Sequence, residues 1–319
     1  GCFVNTPNSV HRINFCLCIF LTVNLHTMYQ QLIKDFIQQE RLPSTYLLDA
    51  TQYFLPLVRD IKAEIQSSRK GPFLIGINGA QGTGKSTLAK LLSALLTSSG
   101  YRTVNLSIDD FYYSKAKRQE LADEIHPLLR SRGVPGTHDV DLALNLIEQL
   151  CAAGSNQQIT LPRFDKSLDD CRPVAACEQI QGPIDIIILE GWFVGAKAQA
   201  GDELTQAINE LEINEDSDGR WRAYVNQQLA GSYQSLFEKI HILLMLQAPG
   251  FEQILEWRSL QEEKLRTLAV TDASGLMDRK AIKHFIQHFE RLTRHCLRTL
   301  PDSADRVFQL NTEHRITVN

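Results

Sequence analysis

The chain has no CxxC pair, no apolar stretch long enough to cross a bilayer, no large excess of charge of either sign and no internal repeat. The seven cysteines (Cys2, Cys16, Cys18, Cys151, Cys171, Cys177, Cys296) are scattered. Without paired spacing or companion histidines they form neither a zinc site nor a disulfide framework, and they read as reduced thiols of a cytoplasmic protein. The longest apolar run, "INFCLCIFLTVNL" over Ile13–Leu25, has 13 residues, whereas a spanning helix wants about 20. It has the length of a signal-peptide core, but only His11 and Arg12 precede it and no small-residue cleavage site follows. A net charge of −4, from 33 basic and 37 acidic residues, supplies no field that would draw in nucleic acid or a membrane surface.

What is present is an ordinary soluble composition: 319 residues, 43% hydrophobic and 22% charged, enough to bury a core without disulfides or structural metal. The chain begins with Gly1, and a regular amphipathic pattern opens only at Met28. Residues 1–27 are therefore expected to be an upstream extension, 28–70 an N-terminal helical segment broken at Pro43, and 71–319 the main domain. Strands are expected at 73–77, 102–108, 158–164, 184–190, 241–247 and 306–311. Helices are expected at 85–98, 140–151, 220–238, 250–268 and 278–299. Segments such as "IDIIILE" and "HILLMLQ" are almost continuously apolar, which suits a parallel sheet buried on both faces. Strand and helix alternate, so the fold class is α/β, a doubly wound and mainly parallel sheet with an N-terminal helical appendage.

The strongest signal is "GAQGTGKS", Gly79-Ala80-Gln81-Gly82-Thr83-Gly84-Lys85-Ser86, followed by Thr87. It fits G-x-x-x-x-G-K-[ST] in full, after an apolar strand and before a helix, as a P-loop requires. Glycines let backbone N–H groups turn inward around phosphate, and the helix N-terminus adds partial positive charge. Lys85 is placed for the β- and γ-phosphates and Ser86 for Mg²⁺, so ATP and Mg²⁺ are the expected cofactors of a P-loop NTPase fold.

Two acidic strand ends share that rim, because ligands of open α/β sheets bind beyond the carboxyl ends of the strands. "LSIDD" carries Asp109 and Asp110; "IDIIILEG" carries Glu190 in the place of a Walker-B acid. Asp109 suits proton acceptance from an attacking hydroxyl, or Mg²⁺; Glu190 suits orienting the metal or its water. The blander reading, a carboxylate in solvent or capping the next turn, applies most to Asp110. An Asn/Thr-Lys-x-Asp base-reading motif of GTPases is not found near "HILLMLQAP". "LPRFDKS" instead offers Arg163 and Lys166, and "GVPGTHDVDL" offers His138 and Asp139, all suited to a small anionic acceptor. Asp139 is equally suited to cap the helix that follows it. Helix 250–268 carries Arg258, Lys264 and Arg266, a candidate basic lid over the transferring phosphoryl group.

"INGAQGTGKSTL", "LSIDDFY", "HPLLRSRGVPGTHDVDLAL", "LPRFDKSLDDCRP", "ILEGWFVGA" and "EWRSLQEEKLR" follow one another in this order. Together they resemble the D-glycerate 3-kinase family of plants and bacteria, within the wider group that holds uridine kinase, pantothenate kinase and phosphoribulokinase. The resemblance runs from about Tyr46 to Arg315. It implies transfer of the γ-phosphoryl of ATP to a hydroxyl of glycerate, giving 3-phosphoglycerate. It implies Lys85, Asp109, Glu190 and Arg258 as catalytic residues, with Asp109 as the base. Ser86, Asp109 and Glu190 would be metal ligands. Asp109, Tyr112, His138, Asp139, Arg163 and Lys166 would hold a hydroxy-acid substrate. Two alternatives stay open. One is a uridine- or pantothenate-type kinase, with Tyr112, Tyr113, Phe164, Trp192 and Phe193 suited to an aromatic pocket for uridine; the other is an ATP-binding regulatory switch with no small-molecule acceptor.

Overall fold

The computed structural model describes residues 27–68, 71–268 and 279–317, without the side chains of 261–268, Ser68 and the first two residues of the last helix. The expected extension over 1–27 lies outside the described residues but for Thr27, as do the side chains of Lys264 and Arg266. Among the described residues ten strands form: β1 Phe73–Gly79, β2 Thr103–Ser107, β3 Gln158–Thr160, β4 Phe164–Asp165, β5 Asp170–Cys171, β6 Gln179–Gln181, β7 Ile186–Gly191, β8 Ile242–Gln247, β9 Arg306–Leu310 and β10 Ile316–Thr317. Six of them make one sheet in the order β10-β9-β8-β1-β7-β2. It is parallel except for the β9–β10 pair.

β1 and β7 are buried along their whole length, which is why they read as unbroken apolar runs. Successive side chains feed opposite faces. Leu74, Ile187 and Leu189 join the core of one face; Phe73, Ile75, Ile77, Ile186 and Ile188 join that of the other. Each such side chain contributes roughly 1.5–3 kcal/mol by leaving water. The helices Val140–Ala152, Arg220–Ala230 and Ser232–Phe237 cover the first face. The second is covered by Lys85–Ser98 and by the N-terminal helices over 27–39 and Leu55–Ser68. Ile33, Phe54, Leu57 and Ile61 sit in the same cluster as β1, so the N-terminal segment shares the core of the sheet. Among the described residues no helix is long and apolar enough to cross a membrane.

Three expected elements differ. The strand expected over 158–164 is only the short β3, paired antiparallel with β6 outside the main sheet. Pro162 explains the stop, since it brings no N–H to a ladder. The helix expected over 220–238 divides at Gly231, whose φ of −93° and ψ of −122° leave the helical region. The strand expected to carry the aspartates ends at Ser107, and Ile108–Phe111 is a 3₁₀ turn.

Candidate active site

β1 ends at Gly79 and the next helix starts at Lys85. Between them Gly82 and Gly84 take φ of +83° and +89°, a conformation that only glycine adopts without strain. A Cβ on Gly79 would stand 2.5 Å from Thr83 Oγ1, and that hydroxyl donates to Ala80 O at 2.8 Å, stapling the loop. The loop is braced from outside by Trp257 and His314. Trp257 stacks on His314 with centroids 4.0 Å apart, and His314 Nε2 donates to Gly82 O at 2.9 Å. A Cβ on Gly82 would lie 3.0 Å from Trp257 Cβ. Trp257 carried one signal, its place beside the candidate lid residue Arg258.

The parallel register sets Glu190 beside Ile77 of β1 and Ser107 of β2. Ser86 Oγ donates to Glu190 Oε1 at 2.8 Å, and Lys85 Nζ lies 4.0 Å from Glu190 Oε2. Glu190 Oε2 is buried and has no hydrogen-bond partner. A hydroxyl and a carboxylate oxygen left without a partner at a phosphate loop are the hard oxygen donors that Mg²⁺ and its waters take. The residues present therefore fit the expected ion.

The two neighbouring aspartates are separated by the 3₁₀ turn, which aims consecutive side chains about a third of a turn apart. Asp109 Oδ2 pairs with Lys166 Nζ at 2.6 Å, and Asp109 Oδ1 accepts from the Tyr112 hydroxyl at 2.8 Å. Burial pushes the Asp109 carboxyl up, but the charges of Lys166 and Lys85 and the two hydrogen bonds outweigh it, and its pKa is lowered. Lys85 thus couples this acid to the phosphate loop. Asp110 instead closes a capping box onto Ser107 N at 3.3 Å and takes the Arg163 guanidinium at 2.9 Å. Burial raises its pKa despite Arg163. One turn therefore yields an acid ionised at neutral pH facing Lys85 and an ion-paired neighbour that anchors the loop.

Tyr112 pairs with His138 as an isolated antiparallel bridge, and their rings stack at 4.4 Å. His138 Nδ1 lies 2.8 Å from the Tyr233 hydroxyl, which accepts from Gly136 N at 3.0 Å. Nε2 is buried without a partner. Burial lowers the His138 pKa to about 3, against a smaller opposing pull from Asp109. Tyr233 lies in "SYQSLF", where no spacing or motif points to it.

The remaining expected residues divide. Lys166 reaches Asp109. Arg163 is held by Asp110 and by Glu178, the latter at 3.2 Å, and does not contact Asp109. Asp139 accepts from Leu142 N at 2.9 Å as the N-cap of Val140–Ala152, the blander of its two expected roles. Arg258 is half-buried on the helix Phe251–Leu268. The aromatics that would line a uridine pocket fill one another's space. Trp192 packs on Phe193 at 4.9 Å and on Phe289 at 5.1 Å, and Tyr112 on Phe164 at 5.2 Å. A separate cluster of His126, Asp216 and Asp218 is structural, because Asp216 is taken up by Trp221 N, Arg222 N and the Arg222 guanidinium. A cavity of about 290 Å³ adjoins the phosphate loop at Thr83, Gly84 and Thr87.

No family model matches the chain. The uncharacterized kinase mug58 of Schizosaccharomyces pombe is 33% identical over 229 residues, covering 68% of this chain and 78% of that protein. The chloroplastic D-glycerate 3-kinase of Arabidopsis thaliana is 26% identical over 227 residues, covering 68% of this chain but 46% of its own length. The chain thus spans less than half of that plant enzyme. A solved D-glycerate 3-kinase from Cryptococcus neoformans shares the fold, with a TM-score of 0.67 at 23% identity, covering 84% of this chain and 97% of that one. Sequence likeness across most of the fungal kinase and the phosphate-loop geometry agree: this chain belongs to the D-glycerate 3-kinase family of P-loop kinases.

Proposed function

We propose that this protein transfers the γ-phosphoryl group of ATP to a hydroxyl of D-glycerate, giving 3-phosphoglycerate. The observation that carries the reading is Asp109, a half-buried carboxylate at the rim of the phosphate loop whose pKa is held down by the charges of Lys166 and Lys85. A switch that only binds ATP has no use for such an acid.

In this reading the loop Gly79–Thr87 wraps the phosphates, and Lys85 neutralises charge on the transferring group. Ser86, Glu190 and Asp109 would hold Mg²⁺, which would supply charge neutralisation at the phosphates. Asp109 takes up the hydroxyl proton of the acceptor. Lys166 is 60% exposed at the side chain and is free to swing from Asp109 to the acceptor carboxylate. His138 stays neutral and, held by Tyr233, backs the Tyr112 ring as a positioning residue. Arg163 acts through Asp110, holding the turn, and Arg258 closes over the transferring group as a lid residue. In-line alignment supplies most of the rate in such transfers, so positioning residues matter as much as the base. A cytoplasmic location fits the free thiols of Cys151, Cys171, Cys177 and Cys296.

The test is coupled ADP release with MgATP and, in turn, D-glycerate, L-glycerate, pantothenate, uridine or no acceptor, with the product's phosphate position read by NMR. Release that requires D-glycerate and yields the 3-phosphate is expected. Slow release indifferent to every acceptor would overturn the proposal in favour of a switch.

A further inference from the structure

Arg132 lies in "RSRGVPGTHD", two residues past the 3₁₀ turn Pro127–Arg130. The backbone beside it is fixed. Gly133 N donates to Thr137 Oγ1 at 3.1 Å, and Gly133 O accepts from the Trp192 indole at 2.9 Å. The Arg132 guanidinium lies over the Phe164 ring, 5.5 Å from its centroid, and Nη1 donates to Asp169 Oδ1. Asp169 is anchored in turn. Arg118, 1% exposed, pairs with the same carboxylate at 3.0 Å and spends Nε, Nη1 and Nη2 on Tyr113 O, Arg130 O and Asp169 O. The Arg132 side chain is 28% exposed, and its Nε and Nη2 make no hydrogen bond among the described residues. One end of the guanidinium is thus pinned, and the Nε–Nη2 edge is open.

Arg132 stands on the Asp109 side of the β4–β5 hairpin. Side chains alternate along a strand. Arg163 turns to Asp110, whereas Phe164 and Lys166 turn the other way, to Tyr112 and to Asp109. Arg132 lies on Phe164, and its charge acts on the Tyr112 phenol, whose hydroxyl donates to Asp109. Lys166 and Asp169 belong to the one turn between β4 and β5, so both cations are tied to it.

We propose that Arg132 holds the carboxylate of the acceptor, its Nε and Nη2 gripping the two oxygens while Asp169 and the Phe164 face keep the guanidinium in place. The inference rests on the kinase reading above and deepens it, naming the residue that selects a hydroxy acid. A guanidinium edge meets a carboxylate with two parallel hydrogen bonds, which fix its orientation as well as its position. The Lys166 ammonium is a point charge on a flexible stem and cannot do this alone; it adds charge beside the grip when it leaves Asp109. With the carboxylate oriented, the hydroxyl end of a short acid is directed at Asp109, the alignment on which phosphoryl transfer depends. An acceptor without a carboxylate leaves the open edge unpaired and forfeits the charge-assisted bonds, so the same residue rejects neutral alcohols.

D-Glyceramide has the hydroxyls of D-glycerate and a neutral carboxamide in place of the carboxylate, so the pair isolates the charged contact. Coupled ADP release is measured with each acceptor for the wild type, Arg132→Ala and Arg132→Lys. Arg132→Ala is expected to raise KM for D-glycerate by about ten-fold or more and to leave KM for MgATP within about two-fold. The preference for D-glycerate over D-glyceramide in kcat/KM is expected to fall by about the same factor. An unchanged KM for D-glycerate overturns the inference. So does a loss shared equally by both acceptors, which would make Arg132 only a brace of the hairpin. Arg132→Lys keeps the charge that pairs with Asp169 and removes the fork, so it carries the test in a protein whose hairpin stays held. Its preference is expected to fall between those of the other two, and a preference equal to that of the wild type overturns the two-pronged grip. Wild-type turnover that no acceptor stimulates removes the kinase reading itself. Wild-type turnover of D-glycerate with an unchanged KM in Arg132→Ala removes this inference alone.

Discussion

His138 is 2% exposed and enclosed by the rings of Tyr112, Phe193 and Tyr233. That burial takes its pKa from 6.5 to about 3, which makes acidification a direct test of its environment. The unfolded imidazole binds a proton below about 6.5 while the folded one stays neutral to about 3. Stability is therefore lost as pH falls through that window and levels off below it. Between pH 7.5 and pH 5 the loss from this one group is about 2 kcal/mol, set by the unfolded imidazole because the folded one does not titrate there. His288 and His295 also have lowered pKa values, burial being the first cause of each, and they add losses of the same sign. The informative quantity is thus the difference between proteins. Urea unfolding of the wild type and of His138→Gln, each at pH 7.5 and pH 5, should show a pH-dependent loss smaller by about 2 kcal/mol in the variant. An equal loss in both would mean that the imidazole is solvated or charged in the folded state, and the neutral positioning role assigned to it would fall with that result.

Other outcomes follow from the site. Lys85→Met should lower kcat by about 10²-fold or more with little change in melting temperature, since it removes an electrostatic clamp on the reacting phosphate. Asp109→Asn should lower kcat by a similar factor; near-normal turnover in coupled ADP release would remove Asp109 as the base. Because the Asp109 pKa is lowered, kcat/KM of the wild type should not fall with acid until below the ordinary carboxylate range, and a fall centred near pH 6 would contradict this. Arg163→Ala frees Asp110, which is otherwise ion-paired, and should raise KM for the acid more than KM for ATP. Equal rises in both would make Arg163 a scaffold residue only.

The phosphate loop and the acidic end of β7 are legible in the sequence because each is a local pattern beside an apolar strand, whereas Asp109 and Asp110 lie one step past the end of β2 on a 3₁₀ turn. Glu190, read from "IIILEG", meets Ser86 because β7 lies beside β1 in register. Neighbouring strands explain that contact; remote contacts explain what was not legible. Tyr233 reaches His138 from a helix with no motif, and Trp257 with His314 reaches Gly82 from the far end of the chain. The strand expected over 158–164 failed for a local reason, Pro162, whose missing N–H outweighed the apolar pattern. The pairing of Arg163 with Asp110 was illegible too, since the 3₁₀ turn that parts two adjacent aspartates shows in the backbone and not in the letters.

The brace on the phosphate loop also equips the protein with its own optical reporter. The chain has three tryptophans, and two of them, Trp192 and Trp221, are sealed in the core on the opposite face of the sheet. Trp257 alone packs against Gly82, with His314 stacked on its indole. A ligand that tightens the loop changes the surroundings of one fluorophore out of three, so the intrinsic emission of the unlabelled protein can follow phosphate-loop occupancy in a stopped-flow cell.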